Sequence, residues 1–140
     1  MMIVIHHNPS CGTSRKVLAM IRASGADPVV VNYLDEGWTR PQLLALFAAA
    51  DLTPRQALRD KRSPAAEMGL LDDGVSDETI LEAMLAHPVL VNRPIVASPK
   101  GVRLCRPAEL VLDLLEQEPA APLHKENGET IPDQEGKPVV

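Results

Sequence analysis

The chain has 140 residues, 45% of them hydrophobic, which is long enough for one domain with a core and too short for two. The net charge of −5 is concentrated in residues 116–140, where six acidic residues stand against two lysines, so the rest carries only −1 and an anionic substrate is not excluded; nucleic acid binding is, because there is no basic stripe and the only aromatics are Tyr33, Trp38 and Phe47. Two cysteines far apart in sequence, Cys11 and Cys105, argue against a disulfide framework, and with no signal peptide in residues 1–7 and no apolar run near about 18 residues they predict a cytoplasmic protein without a membrane span.

Residues 2–6 read as a buried strand. Residues 13–24 read as a helix with Val17, Leu18, Met20 and Ile21 on its apolar side and Gly25 as its stop. The valine run in residues 28–33 predicts a second strand, buried on both faces and parallel to the first through a right-handed crossover. Only helical signals follow from 39 to 87: Thr39 before Arg40-Pro41, Thr53 before Pro54, Ser63 before Pro64 and Ser76 before Asp77-Glu78, each an N-cap followed by proline or acid. Strand signals return at 89–91, 95–98 and 102–105, with Pro99-Lys100-Gly101 as a hairpin turn, and Pro107 opens a last helix through Leu115. This order predicts an α/β fold: a thioredoxin-like mixed sheet flanked by helices, with a helical insertion at about 39–87 between a βαβ and a ββα half. The expected domain spans 1–115, and 116–140 is an acidic, Pro/Gly-containing tail expected to pack loosely or not at all.

The segment His7-Asn8-Pro9-Ser10-Cys11-Gly12-Thr13-Ser14-Arg15-Lys16 places one cysteine where the first strand breaks into the first helix. The first N–H groups of a helix have no intrahelical partner and sit at the positive end of its dipole, so a thiol there should ionise below the free value of about 8.5. The competing reading, a small buried apolar residue, fits poorly with the proline, glycine and polar residues around it. His7 either assists thiolate formation or caps the loop. Ser14 and Arg15 support Cys11 from the first helical turn, unless Arg15 is a surface residue. His6, His87 and His124 show no metal-ligand spacing with either cysteine, so no metal site is expected.

Together with Asn92-Arg93-Pro94-Ile95-Val96 and Arg103-Leu104-Cys105-Arg106-Pro107, this segment resembles the glutaredoxin-coupled arsenate reductases of bacterial arsenic-resistance systems, from about residue 2 to residue 115. The resemblance implies that Cys11 attacks arsenate and that Arg59, Arg93 and Arg106 hold the oxyanion, with a cis peptide before Pro94 beside the cysteine. A planar guanidinium offers paired donors that suit such an anion. Arg59, in a run with Arg55, Lys61 and Arg62, reads equally well as part of a solvated helix face. Neighbours in an extended segment point to opposite sides, so if Arg106 reaches the anion, Cys105 points away and is a packing residue.

The implied reaction is reduction of arsenate to arsenite, with no bound cofactor, glutathione as co-substrate and glutaredoxin as partner. Ser14 stands where a C-x-x-C motif would carry its resolving cysteine, so electrons must come from another molecule. The rival classes are a monothiol glutaredoxin-like protein, suggested by Cys11-Gly12-Thr13-Ser14, and a redox regulator of the same fold binding RNA polymerase. The C-x5-R loop of phosphatase-like arsenate reductases is absent, since Val17 stands six residues after Cys11.

Overall fold

The computed structural model describes residues 2–117, Pro119 and, by backbone alone, residues 123–124 and 130–131. Most of the segment 116–140, for which loose packing is expected, lies outside the described residues. Strand β1 (Val4–His7) leads through the Cys11 loop into α1 (Gly12–Ala23), and β2 (Val29–Asn32) returns parallel to β1. Gly25 ends α1 as expected, with φ +92, a conformation that costs glycine little. The strands β3 (Ile95–Ser98) and β4 (Gly101–Leu104) form the hairpin, and β3 pairs antiparallel with β1. The sheet order is β2-β1-β3-β4, the mixed arrangement of a thioredoxin-like fold.

Period-2 alternation divides the core in two. Ile3 just before β1, Ile5 on β1 and Val96 on β3 belong to the core on the α1 side with Val17, Met20 and Ile21 of that helix, and a 3-10 helix (Ala108–Leu114) following Pro107 closes this side with Val111 and Leu114. Each fully buried aliphatic side chain here contributes about 1.5–3 kcal/mol. His6 and Ile95 point to the opposite face, toward Trp38, Leu43, Phe47, Ile80 and Met84. That second core is supplied by α2 (Tyr33–Glu36), α3 (Arg40–Ala50), α4 (Pro54–Ala57) and α5 (Asp77–Ala86). Thr39 and Thr53 make full capping boxes with Gln42 and Gln56, and Ser76 accepts the Thr79 N–H, so the predicted helix starts hold.

Three expectations need correction. β2 is an edge strand, with Val29 at 47% and Val30 at 39% exposure: a valine run suits an edge and a centre equally, and only the sheet order decides which it is. Ser63 starts no helix. Its hydroxyl accepts the Ala65 N–H at 3.2 Å, but the chain then runs through turns, with Gly69 at φ +73. The apolar residues at 89–91 form no strand of the sheet: Pro88–Leu90 is a 3-10 turn, and Val91 makes a single bridge to Leu58.

Candidate active site

Cys11 is the N-cap residue of α1, with extended backbone at φ −97 and ψ 122. No side chain makes a conventional oxygen cap there; the Ser14 and Thr13 N–H groups face the sulfur instead. Burial pushes the Cys11 thiol up, but the Ser14 N–H, the charge of Arg93, the Thr13 N–H and the Arg106 guanidinium outweigh it, and its pKa lies below the ordinary thiol value. The loop carrying the sulfur is tied internally. The Cys11 N–H donates to the Asn8 carbonyl at 3.0 Å, and the Ser10 N–H donates to Asn8 Oδ1 at 2.9 Å. Ser14 Oγ accepts the Asn8 N–H at 3.1 Å and shares a 2.6 Å hydrogen bond with His7 Nδ1. Arg15 donates to the Pro9 carbonyl at 2.9 Å, across the outside of the same loop.

Arg106 leaves β4 and reaches back to the loop, placing Nη1 3.7 Å from Cys11 Sγ and 3.2 Å from the Arg93 carbonyl. Arg93 stands at the start of β3 before the cis peptide to Pro94; the bond between Arg106 and Pro107 is cis as well. Asn92 Oδ1 accepts from Arg93 Nη1 at 3.0 Å, while Arg93 Nε is buried with no partner. Arg59 arrives from the helical block. Residues 57–59 lie alongside 90–92, through Arg59 N–H to the Leu90 carbonyl and Asn92 N–H to the Ala57 carbonyl, both at 2.8 Å. Arg59 is 8% exposed and its Nε donates to the Lys61 carbonyl at 2.9 Å. Burial and the neighbouring charges of Arg93 and Arg106 hold its pKa down, opposed by Tyr33 and Cys11.

These arginines line a cleft of about 440 Å³ with Asp60, Lys61, Arg62 and Asn92. Five basic side chains against one carboxylate make it a site for an anion. Among the described residues no group of three or more His, Cys, Asp or Glu could hold a metal ion, and no helix is long and apolar enough to cross a membrane.

The family model of the ArsC family matches residues 6–114, from β1 and the Cys11 loop past Arg106 to the end of the closing 3-10 helix. The chain belongs to the ArsC family. It is 63% identical over 138 residues to an arsenate reductase of Synechocystis sp., covering 99% of both chains. It is 54% identical over 140 residues to the arsenate reductase of Rhizobium meliloti, covering 100% of both, and 45% identical over 135 residues to that of Escherichia coli K12, covering 96% of both. Among solved structures, an arsenate reductase from Vibrio cholerae superposes with a TM-score of 0.77 at 37% identity, over 82% of this chain and 98% of that one.

Within this ArsC-family fold, Arg59, Arg93 and Arg106 line one cleft and Arg106 reaches the Cys11 sulfur, and Arg59 gets there outside any helix, since α4 ends at Ala57. His7 and Ser14 act on each other and on the loop backbone. Cys105 points away from the cleft into the core beside Val17, Val96 and Val111, where burial pushes its thiol up to about 12. Sequence reasoning missed Asn8 and Asn92 as organisers and Tyr33 beneath the loop. A buried asparagine in a loop that must turn before a helix was the available signal.

Proposed function

We propose that this ArsC-family chain is an arsenate reductase in which the Cys11 thiolate is the nucleophile and Arg59, Arg93 and Arg106 bind the oxyanion. The observation that carries this reading is the guanidinium of Arg106, which lines the five-cation cleft, 3.7 Å from an acidified Cys11. A thiolate and an arsenate anion repel one another. Clustered guanidinium groups offset that repulsion and the charge that builds as oxygen departs.

In the first step the Cys11 sulfur attacks arsenic, an S–As bond forms, an As–O bond breaks and water leaves. Glutathione adds its sulfur to arsenic with loss of a second water. A glutaredoxin thiol then attacks the glutathione sulfur; the As–S electron pair stays on arsenic, As(V) becomes As(III), and glutathione leaves in a disulfide with glutaredoxin. Water cleaves the remaining Cys11–As(III) bond and arsenite departs. Two thiols have lost two electrons, and Cys11 is returned as a thiol. Two features of the chain support an external reductant: the hydroxyl of Ser14 stands where a resolving thiol would, and Cys105 is enclosed in the core. Such a cycle suits a reducing cytoplasm.

The decisive assay follows NADPH oxidation with glutathione, glutathione reductase and glutaredoxin present and arsenate added last. Arsenate-dependent oxidation that disappears in Cys11→Ser supports the reading; unaltered turnover in that variant overturns it.

A further inference from the structure

Tyr33 lies beneath the nucleophile loop as its largest buried polar neighbour. Its ring stacks on Trp38 with centroids 5.1 Å apart, and only 1% of its surface is exposed. The hydroxyl is enclosed and lacks a partner within ordinary hydrogen-bond geometry, an arrangement that proteins rarely leave without use. It does not face an apolar wall: β1 and β2 pair in parallel with His7 opposite Asn32, which brings Asn8 beside Tyr33, and the charges of Arg93, Arg59 and Cys11 act on the hydroxyl.

Asn8 is where the loop is fastened. Its carbonyl takes the Cys11 N–H at 3.0 Å, its own N–H goes to Ser14 Oγ at 3.1 Å, and its Oδ1 takes the Ser10 N–H at 2.9 Å. Oδ1 already takes the Ser10 N–H, and the Nδ2 hydrogens are the donors its side chain can offer to the Tyr33 oxygen. We propose that Tyr33 is a positioning residue for Cys11, acting through Asn8: the hydroxyl accepts from the Asn8 amide, steadies the carbonyl that holds the Cys11 N–H, and keeps the sulfur over the first N–H groups of α1. The inference rests on Cys11 being the nucleophile. Tyr33 is not among the residues that line the cleft, and the proposed route from its hydroxyl to the sulfur runs through the Asn8 loop.

Tyr33→Phe tests this, because it keeps the ring and its stacking on Trp38 while removing only the oxygen. The thermal melt should stay near wild type. The rate of Cys11 alkylation against pH should show the thiol pKa raised by roughly half a unit to one unit, the scale of one neutral hydrogen bond. In the arsenate assay kcat should fall several-fold with KM little changed. Asn8→Ala should raise the thiol pKa too, and adding Tyr33→Phe to it should raise it no further. An unchanged thiol pKa in Tyr33→Phe overturns the proposal, and fully additive shifts in the double variant overturn the route through Asn8. Alkylation needs no arsenate, so the two readings fail separately. If Cys11→Ser abolishes turnover while Tyr33→Phe changes nothing, only the positioning role falls; if Cys11→Ser retains turnover, the nucleophile assignment falls.

Discussion

Cys11 and Cys105 are both buried, at 7% and 0% exposure, yet their thiols are driven in opposite directions. Around Cys105 there is little but Ile, Val and Leu side chains, so desolvation governs and its pKa reaches about 12, eased only slightly by Arg103. Around Cys11 the same desolvation is opposed by two helix N–H groups and two guanidinium groups, and the opposition wins. Burial by itself therefore says nothing about whether a thiol is reactive. Donors and charges within reach decide it.

The widest separation between the two cysteines is expected in turnover. Cys11→Ser should remove arsenate-dependent NADPH oxidation entirely. Cys105→Ala should keep most of it and cost stability by about 1 kcal/mol, read from a denaturant midpoint, as a small core cavity does. Loss of turnover in both variants would break the comparison and point to a disulfide between the two cysteines.

Next in size are the cations that distinguish the Cys11 surroundings. Arg59→Ala, Arg93→Ala and Arg106→Ala should each lower kcat/KM about 30- to 1000-fold at unchanged fold, the cost of about 2–4 kcal/mol for one charged donor to an anion, and lysine should restore only part of it. Arg22→Ala, remote from the cleft on α1, is the matching control. Arg55 does not serve as one despite its neighbouring position in sequence, because its guanidinium holds the Asp72 and Val75 carbonyls and so fastens the turns of residues 61–74.

His6 sharpens the comparison from a third direction. As with Cys105, desolvation governs it: Nδ1 has no partner, the ring lies tilted at 43° against Trp38 with centroids 5.2 Å apart, and burial lowers its pKa from 6.5 to about 4. Between those two values the unfolded chain binds a proton that the folded chain refuses, so stability should fall as pH drops through that window, by about 3 kcal/mol in all. Urea unfolding at pH 7 and near pH 4 measures the loss, and His6→Phe should remove most of it. An equal acid loss in His6→Phe would assign the effect to other groups.

The smallest expected effect is in labelling. In the folded protein Cys11 should be alkylated with a pH midpoint below that of a free thiol, while Cys105 stays unlabelled until the protein unfolds. Mass spectrometry of a pH series distinguishes them. Labelling of native Cys105 at neutral pH would show that its enclosure opens readily.

Much of this was present in the residues themselves. Cys11 follows a short apolar strand and precedes a helix marked by its periodicity and by Gly25, so its place at a helix start is a local matter, whereas the share of its acidity that Arg93 and Arg106 supply is not. The hairpin of β3 and β4, the capping boxes at Thr39 and Thr53 and the opposite directions of Cys105 and Arg106 are local too, set by turn chemistry, N–H satisfaction and the two-residue period of extended chain. Tertiary structure alone decided the rest. The valines of β2 carry no sign of whether another strand will lie beyond them, and of the strand-like residues at 89–91, Val89 follows Pro88 into a 3-10 turn while Val91, extended just after it, makes only a single bridge to Leu58. Arg59 reaches the cleft only because residues 57–59 pair with 90–92. Tyr33 comes to lie under Asn8 only because β2 runs beside β1. Each of these placements depends on contacts between segments far apart in the chain, which periodicity and capping signals, being local, do not encode.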